Sequence, residues 1–149
     1  MKINLATLIL LSVLLSTTLT TAGPTEDKIS DQIKKAIENS ILKEYPGAKI
    51  KEIESEGQDC YEAGFQFEGE ELEGLYSPEG KKMALCTKLA TDQLPQGIRK
   101  AIGEKAKVEE VERFDLASGT AIYEVKIKNK IPIYYTSAGI AVASPCGSN

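Results

Sequence analysis

Two stretches of this sequence occur twice in the same order, and that repetition points to a tandem architecture. Ile33-Lys34-Lys35-Ala36-Ile37 returns as Ile98-Arg99-Lys100-Ala101-Ile102, 98 − 33 = 65 positions on. Ala48-Lys49-Ile50-Lys51-Glu52-Ile53-Glu54 returns as Ala106-Lys107-Val108-Glu109-Glu110-Val111-Glu112, 106 − 48 = 58 positions on. Later landmarks keep the order: Tyr61-Glu62 answers to Tyr123-Glu124, and Gly80 after Ser77-Pro78-Glu79 answers to Gly139 after Thr136-Ser137-Ala138. The offsets differ by 65 − 58 = 7 residues between the first and second landmarks. Seven residues are about two helical turns, so the first copy should carry the longer helix.

Each copy opens with helical spacing. Ile33, Ala36, Ile37, Ile41 and Tyr45 share one face after a Ser30 or Asp31 cap, and Pro46-Gly47 ends the pattern. In the second copy Pro95 suits a helix start, and Leu94, Ile98, Ala101 and Ile102 form a shorter stripe. Strand patterns follow. Tyr61, Ala63, Phe65 and Phe67 alternate with Glu62, Gln66 and Glu68, as Tyr123, Val125 and Ile127 do with Glu124, Lys126 and Lys128. Ile50–Ile53 and Val108–Val111 break the alternation at the same station, which predicts a bulge in the first strand of each copy. Turns are expected near Gly69-Glu70, Asn129-Lys130, Gly80 and Gly139. The expected fold class is α+β: two tandem units, 23–89 and 90–149, each one helix packed on a four-stranded antiparallel sheet, together one compact domain.

Residues 1–22 have a different character. Lys2 precedes the apolar stretch Leu5–Leu15, and small and polar residues lead to Thr20-Thr21-Ala22. This is the layout of a signal peptide cut near Ala22-Gly23, with an apolar core too short to span a bilayer. The expected location is periplasmic or secreted, with no membrane span after cleavage. The mature part would have 149 − 22 = 127 residues and a charge of 17 − 22 = −5 once Lys2 is gone. A chain this acidic is not expected to hold nucleic acid.

The order Leu94-Pro95, Ile98, Ala101-Ile102, Ala106–Glu112, Tyr123-Glu124-Val125-Lys126-Ile127 and a strand ending at the Gly139 turn resembles the PepSY-like family, also called beta-lactamase-inhibitor-like. Tyr45-Pro46-Gly47-Ala48 and Leu75-Tyr76-Ser77-Pro78-Glu79-Gly80 resemble the same stations in the first copy, and the likeness covers most of residues 29–145. The first copy lacks the Leu-Pro opening, and Ser137-Ala138-Gly139 replaces an acidic turn. The resemblance implies an exported bacterial protein of helix-on-sheet units without catalysis. It does not carry inhibition with it, because no binding residue of an inhibitor matches here.

The sequence contains no histidine, which removes the commonest general base and metal ligand together. No nucleophile–base pair or metal-ligand spacing stands out, so no catalytic residue, metal or cofactor is expected. Nine carboxylates lie between Glu52 and Glu73 with no Lys or Arg among them. They read first as a solvated strand face, and second as a contact surface for a protein or peptide partner through Glu68, Glu70, Glu71 and Glu73, with Tyr134 as a candidate binding aromatic. The alternative is a small-ligand pocket between the two repeats. Cys60, Cys86 and Cys146 predict one disulfide and one free thiol in an oxidising compartment. A meander puts Cys60 and Cys86 near opposite sheet ends, of order 20 Å apart at about 3.3 Å per residue. Cys86 and Cys146 close equivalent strands, so Cys86–Cys146 is the expected pair.

Overall fold

The computed structural model describes residues 29–57 and 59–147, so the expected signal peptide, 1–22, lies outside the described residues. The described chain has two α-helices and eight strands. In order these are α1 (Asp31–Glu44), β1 (Lys49–Gly57), β2 (Cys60–Phe67), β3 (Glu70–Tyr76), β4 (Lys82–Leu89), α2 (Gln96–Ile102), β5 (Val108–Leu116), β6 (Ala121–Ile127), β7 (Ile133–Thr136) and β8 (Ala141–Val142), with a 3-10 turn at Thr91–Gln93 before α2.

Helix α1 starts where Ser30 accepts a hydrogen bond from the Ile33 N–H, 3.3 Å away. Asp31 in its first turn and Lys43 in its last suit the helix dipole. Its 14 residues against 7 in α2 give the expected excess of two turns. Ile37 and Ile41 are fully buried and cluster with Ala63, Phe65 and Tyr76. Each such isoleucine contributes about 1.5–3 kcal/mol by leaving water. Tyr45 closes the cluster's edge, its ring centroid 5.0 Å from that of Phe65 and 5.4 Å from that of Phe67. In the second half Leu94 and Ile98 meet Val111, Val125 and Tyr135.

The strands form one antiparallel sheet in sequential order, β1 to β8. The expected bulges are present, between Ile50 and Glu52 and between Val108 and Glu110. The expectation of two four-stranded sheets is corrected, because β4 pairs with β5 from Ala84↔Leu116 to Leu89↔Val111. Two separate sheets would leave both of these edges unpaired. Joining them satisfies their backbone groups, while the 3-10 turn and α2 are accommodated in the connection.

The disulfide joins Cys60 to Cys146, with Cα atoms 5.4 Å apart, and Cys86 is free and buried. One bridge and one thiol were expected, but the Cys86–Cys146 pairing is corrected. That pairing assumed that Cys146 ends a fourth strand as Cys86 nearly does. Strand β8 instead stops at Val142, and the chain folds back so that Cys146 packs against the cluster of Leu75, Phe114 and Ile122.

This return also reveals the shape of the sheet. Six strand spacings from β8 to β2 laid flat would be about 29 Å. Four residues from Val142 to Cys146 reach at most about 14 Å, and the disulfide adds its 5.4 Å. The sheet is therefore curled, with β8 drawn toward β2. The inner, concave face carries Cys60, Leu75, Ala84, Cys86, Phe114 and Ile122, and the helix-contacting residues lie on the outer face.

Candidate functional site

Strand parity and curl together assemble the site. Facing residues on paired strands point the same way. Glu62 stands opposite Glu54 and Leu75, and Glu112 stands opposite Lys88 and Glu124. All six therefore belong to the concave face with Phe114. The curl brings the β1–β2 carboxylates toward those of β5–β6 and leaves a cavity of about 130 Å³ lined by Glu56, Glu62, Glu112, Glu124, Leu75, Phe114 and Tyr134. Pro145 and Cys146 complete its wall. Phe114 and Tyr134 form its aromatic side, with ring centroids 6.0 Å apart.

The charge in this cavity is poorly compensated. Lys88 reaches Glu73 at 3.6 Å and Glu112 at 4.0 Å. Burial, followed by Glu56, Glu73 and Glu112, pushes the Glu62 carboxyl up to about 7, with Lys88 pulling the other way. Burial and then Glu124 and Glu110 raise Glu112, and burial and then Glu54 and Glu124 raise Glu56. Tyr134 is raised by burial and by its hydrogen bond with Glu124, opposed by Ser144. The Cys86 thiol is pushed up by burial and by Glu62, Glu112, Glu73 and Glu56, so it stays protonated at neutral pH. Among the described residues, no three metal-ligating side chains gather in a cluster fit for an ion.

The residues singled out in the sequence are split by the structure. Glu68 takes a positive φ of 50° in the β2–β3 turn. Glu70 faces Phe67 and points to the outer side. Glu71 and Glu73 share the concave parity, Glu71 paired with Lys51 and Glu73 with Lys88. Tyr134 lines the carboxylate cavity. Glu112 and Glu124 were not singled out. The signal for them was present: Glu112 is the repeat counterpart of Glu54 and Glu124 that of Glu62, and both pairs stand directly opposite each other in register.

A curled antiparallel sheet whose inner face sets carboxylates beside an apolar cluster, with two helices on its outer face, defines an α+β protein. The family described as "Putative beta-lactamase-inhibitor-like, PepSY-like" matches twice, over residues 25–83 and 79–142, which fits tandem units. The chain belongs to this family. No curated protein matches it. Three crystal structures from Bacteroides share its fold. A protein of B. eggerthii described as a "putative periplasmic" protein aligns with a TM-score of 0.55 at 18% identity, covering 76% of this chain and 85% of its own. A DUF2874 family protein of B. ovatus gives 0.52 at 21% identity, over 72% and 82%. A BLIP-like protein of B. fragilis gives 0.51 at 24% identity, over 72% and 82%.

Proposed function

We propose that this chain is an exported, non-enzymatic binding module whose concave face receives a basic segment of a protein partner. In this reading a signal peptide, 1–22, is cleaved, and the mature protein works in the periplasm or outside the cell. The units 23–89 and 90–149 are each one helix on four strands, and their inner faces form a single surface. The observation that carries the reading is the opposition of like charges, Glu54 to Glu62 and Glu112 to Glu124, at counterpart positions of the two halves. Directly opposed like charges cost stability in a sheet, and a partner's ammonium or guanidinium groups would relieve that cost on binding. The family's description, with its reference to an inhibitor, supports a protein partner. At the carboxylate site itself a small organic ligand is less well served, since its cavity of about 130 Å³ falls below the roughly 300 Å³ at which such sites begin.

The test is affinity capture from the source's envelope fraction with wild type and with a Glu62→Gln, Glu112→Gln, Glu124→Gln variant. Capture should weaken as salt rises and be lost in the variant, because the interaction depends on charge. A partner held equally by both proteins would overturn the assignment to this face.

A further inference from the structure

We infer that residues 143–147 are a redox-released strap, which the Cys60–Cys146 disulfide holds over the apolar floor of the concave face. Strand β8 comprises two residues, both exposed, and pairs with β7 only at Tyr134↔Val142 and Tyr135↔Ala141. The backbone hydrogen bond of the strap that closes its turn is internal: the Gly147 N–H donates to the Ser144 carbonyl. The Cys146 N–H likewise donates to Ser144 Oγ. Against the sheet the strap has the Ser144 contact with Tyr134, the packing of Cys146 on Leu75, Phe114 and Ile122, and the disulfide.

Two cavities meet at this strap. Pro145 lines both the carboxylate cavity and an open groove of about 430 Å³ beside Ser77, Lys81, Lys82, Met83, Leu116 and Ser118. Lifting the strap would join them into one trough, acidic at one end, with Leu75, Phe114 and Leu116 along its floor. The two clusters that hold the helices to the sheet contain no cysteine and no strap residue. Release is therefore local and leaves the eight-stranded ladder in place.

The chemistry is thiol–disulfide exchange with an external dithiol. The reductant gives up two electrons and two protons, the Sγ–Sγ bond breaks, each Sγ becomes a thiol, and the reductant closes its own disulfide. Cys86 does not serve as the attacking group, because its thiol remains protonated.

The experiment compares oxidised wild type, dithiol-reduced wild type and a Cys60→Ser, Cys146→Ser variant. Alkylation of Cys86 by iodoacetamide and uptake of the neutral apolar dye Nile red are measured, while hydrogen exchange follows the strands. Release should speed Cys86 alkylation at least roughly tenfold and raise dye fluorescence, with the β2 to β6 amides as protected as before. Nile red fluorescence and Cys86 alkylation both unchanged in the variant would overturn the strap. So would loss of protection across the sheet, which would make the disulfide a global clamp.

Discussion

The turn glycine Gly139 rests on the backbone of Gly97, so closely that a Cβ on Gly139 would stand 2.3 Å from the Gly97 carbonyl oxygen. Its counterpart Gly80 rests in the same way on Ala36 of α1, also with 2.3 Å between a built Cβ and the carbonyl oxygen. Each sheet turn thus braces a helix by direct backbone contact, and the φ values of +86° and +78° already favour glycine. Gly80→Ala and Gly139→Ala should each cost at least about 2 kcal/mol in denaturant unfolding. Gly119 has φ +86° but open space around it, so Gly119→Ala should cost only about 1 kcal/mol of backbone strain. Equal costs at all three sites would show that the close approach contributes nothing.

Tyr76 is 1% exposed, and its hydroxyl has no hydrogen-bond partner among the described residues. The ring fills the core beneath α1, whereas the hydroxyl pays desolvation without a return. Tyr76→Phe should leave stability unchanged or raise it by up to about 1 kcal/mol. A loss larger than that, read from the unfolding midpoint, would mean that the hydroxyl is bonded in solution.

Much of the local structure was legible because it depends on neighbours in sequence. The Ile50 and Val108 bulges, the helix stop at Tyr45-Pro46-Gly47 and the turns at Gly80 and Gly139 all follow from residues within a few positions of each other. The β4–β5 pairing was not legible, since Lys82–Leu89 and Val108–Leu116 each read equally well as an edge strand. The carboxylate cavity was only half legible. Strand alternation puts Glu62 and Glu124 on the face away from the helix, but the curl that converges them brings together strands far apart in sequence and leaves no local signal. A local run of acids drew attention to Glu68 and Glu70, whereas the cavity unites Glu56 and Glu62 with Glu112 and Glu124 from the other half.

The cysteine arrangement makes a direct prediction for peptide mapping. Digestion without reduction should yield a Cys60–Cys146 crosslinked pair and a Cys86 peptide that alkylates readily only after denaturation. Recovery of Cys86–Cys146 would require the strap to reach the middle of β4, and would remove the geometric basis for the curl.

The pH dependence of stability should carry the mark of Glu62. In the unfolded chain this carboxyl titrates near 4.5, and in the folded protein near 7, so the fold prefers its protonated form. Its contribution is fully present below about pH 4.5 and is lost as pH rises through about 7. The groups facing it are Glu54 and Glu56 from β1, Glu73 from β3, Lys88 from β4, Glu112 from β5, and Glu124 and Tyr134 from β6 and β7. Only Lys88 among these opposes the shift, and the raised carboxyls of Glu56 and Glu112 add to the slope in the same direction. Glu71 and Glu79 are lowered by their hydrogen bonds to Lys51 and Ser77, so they act at more acidic pH and leave this window clear. At about 1.4 kcal/mol per unit the full shift would be worth about 3 kcal/mol, but Glu62 is only half buried and solvent screening reduces this to about 1–2 kcal/mol. Glu62→Gln should therefore be more stable than wild type by that amount at pH 8 and no different at pH 4. Urea unfolding at the two pH values measures it, and an equal gain at both would mean that the substitution acts through packing and that the carboxylates of the concave face are not coupled to the fold.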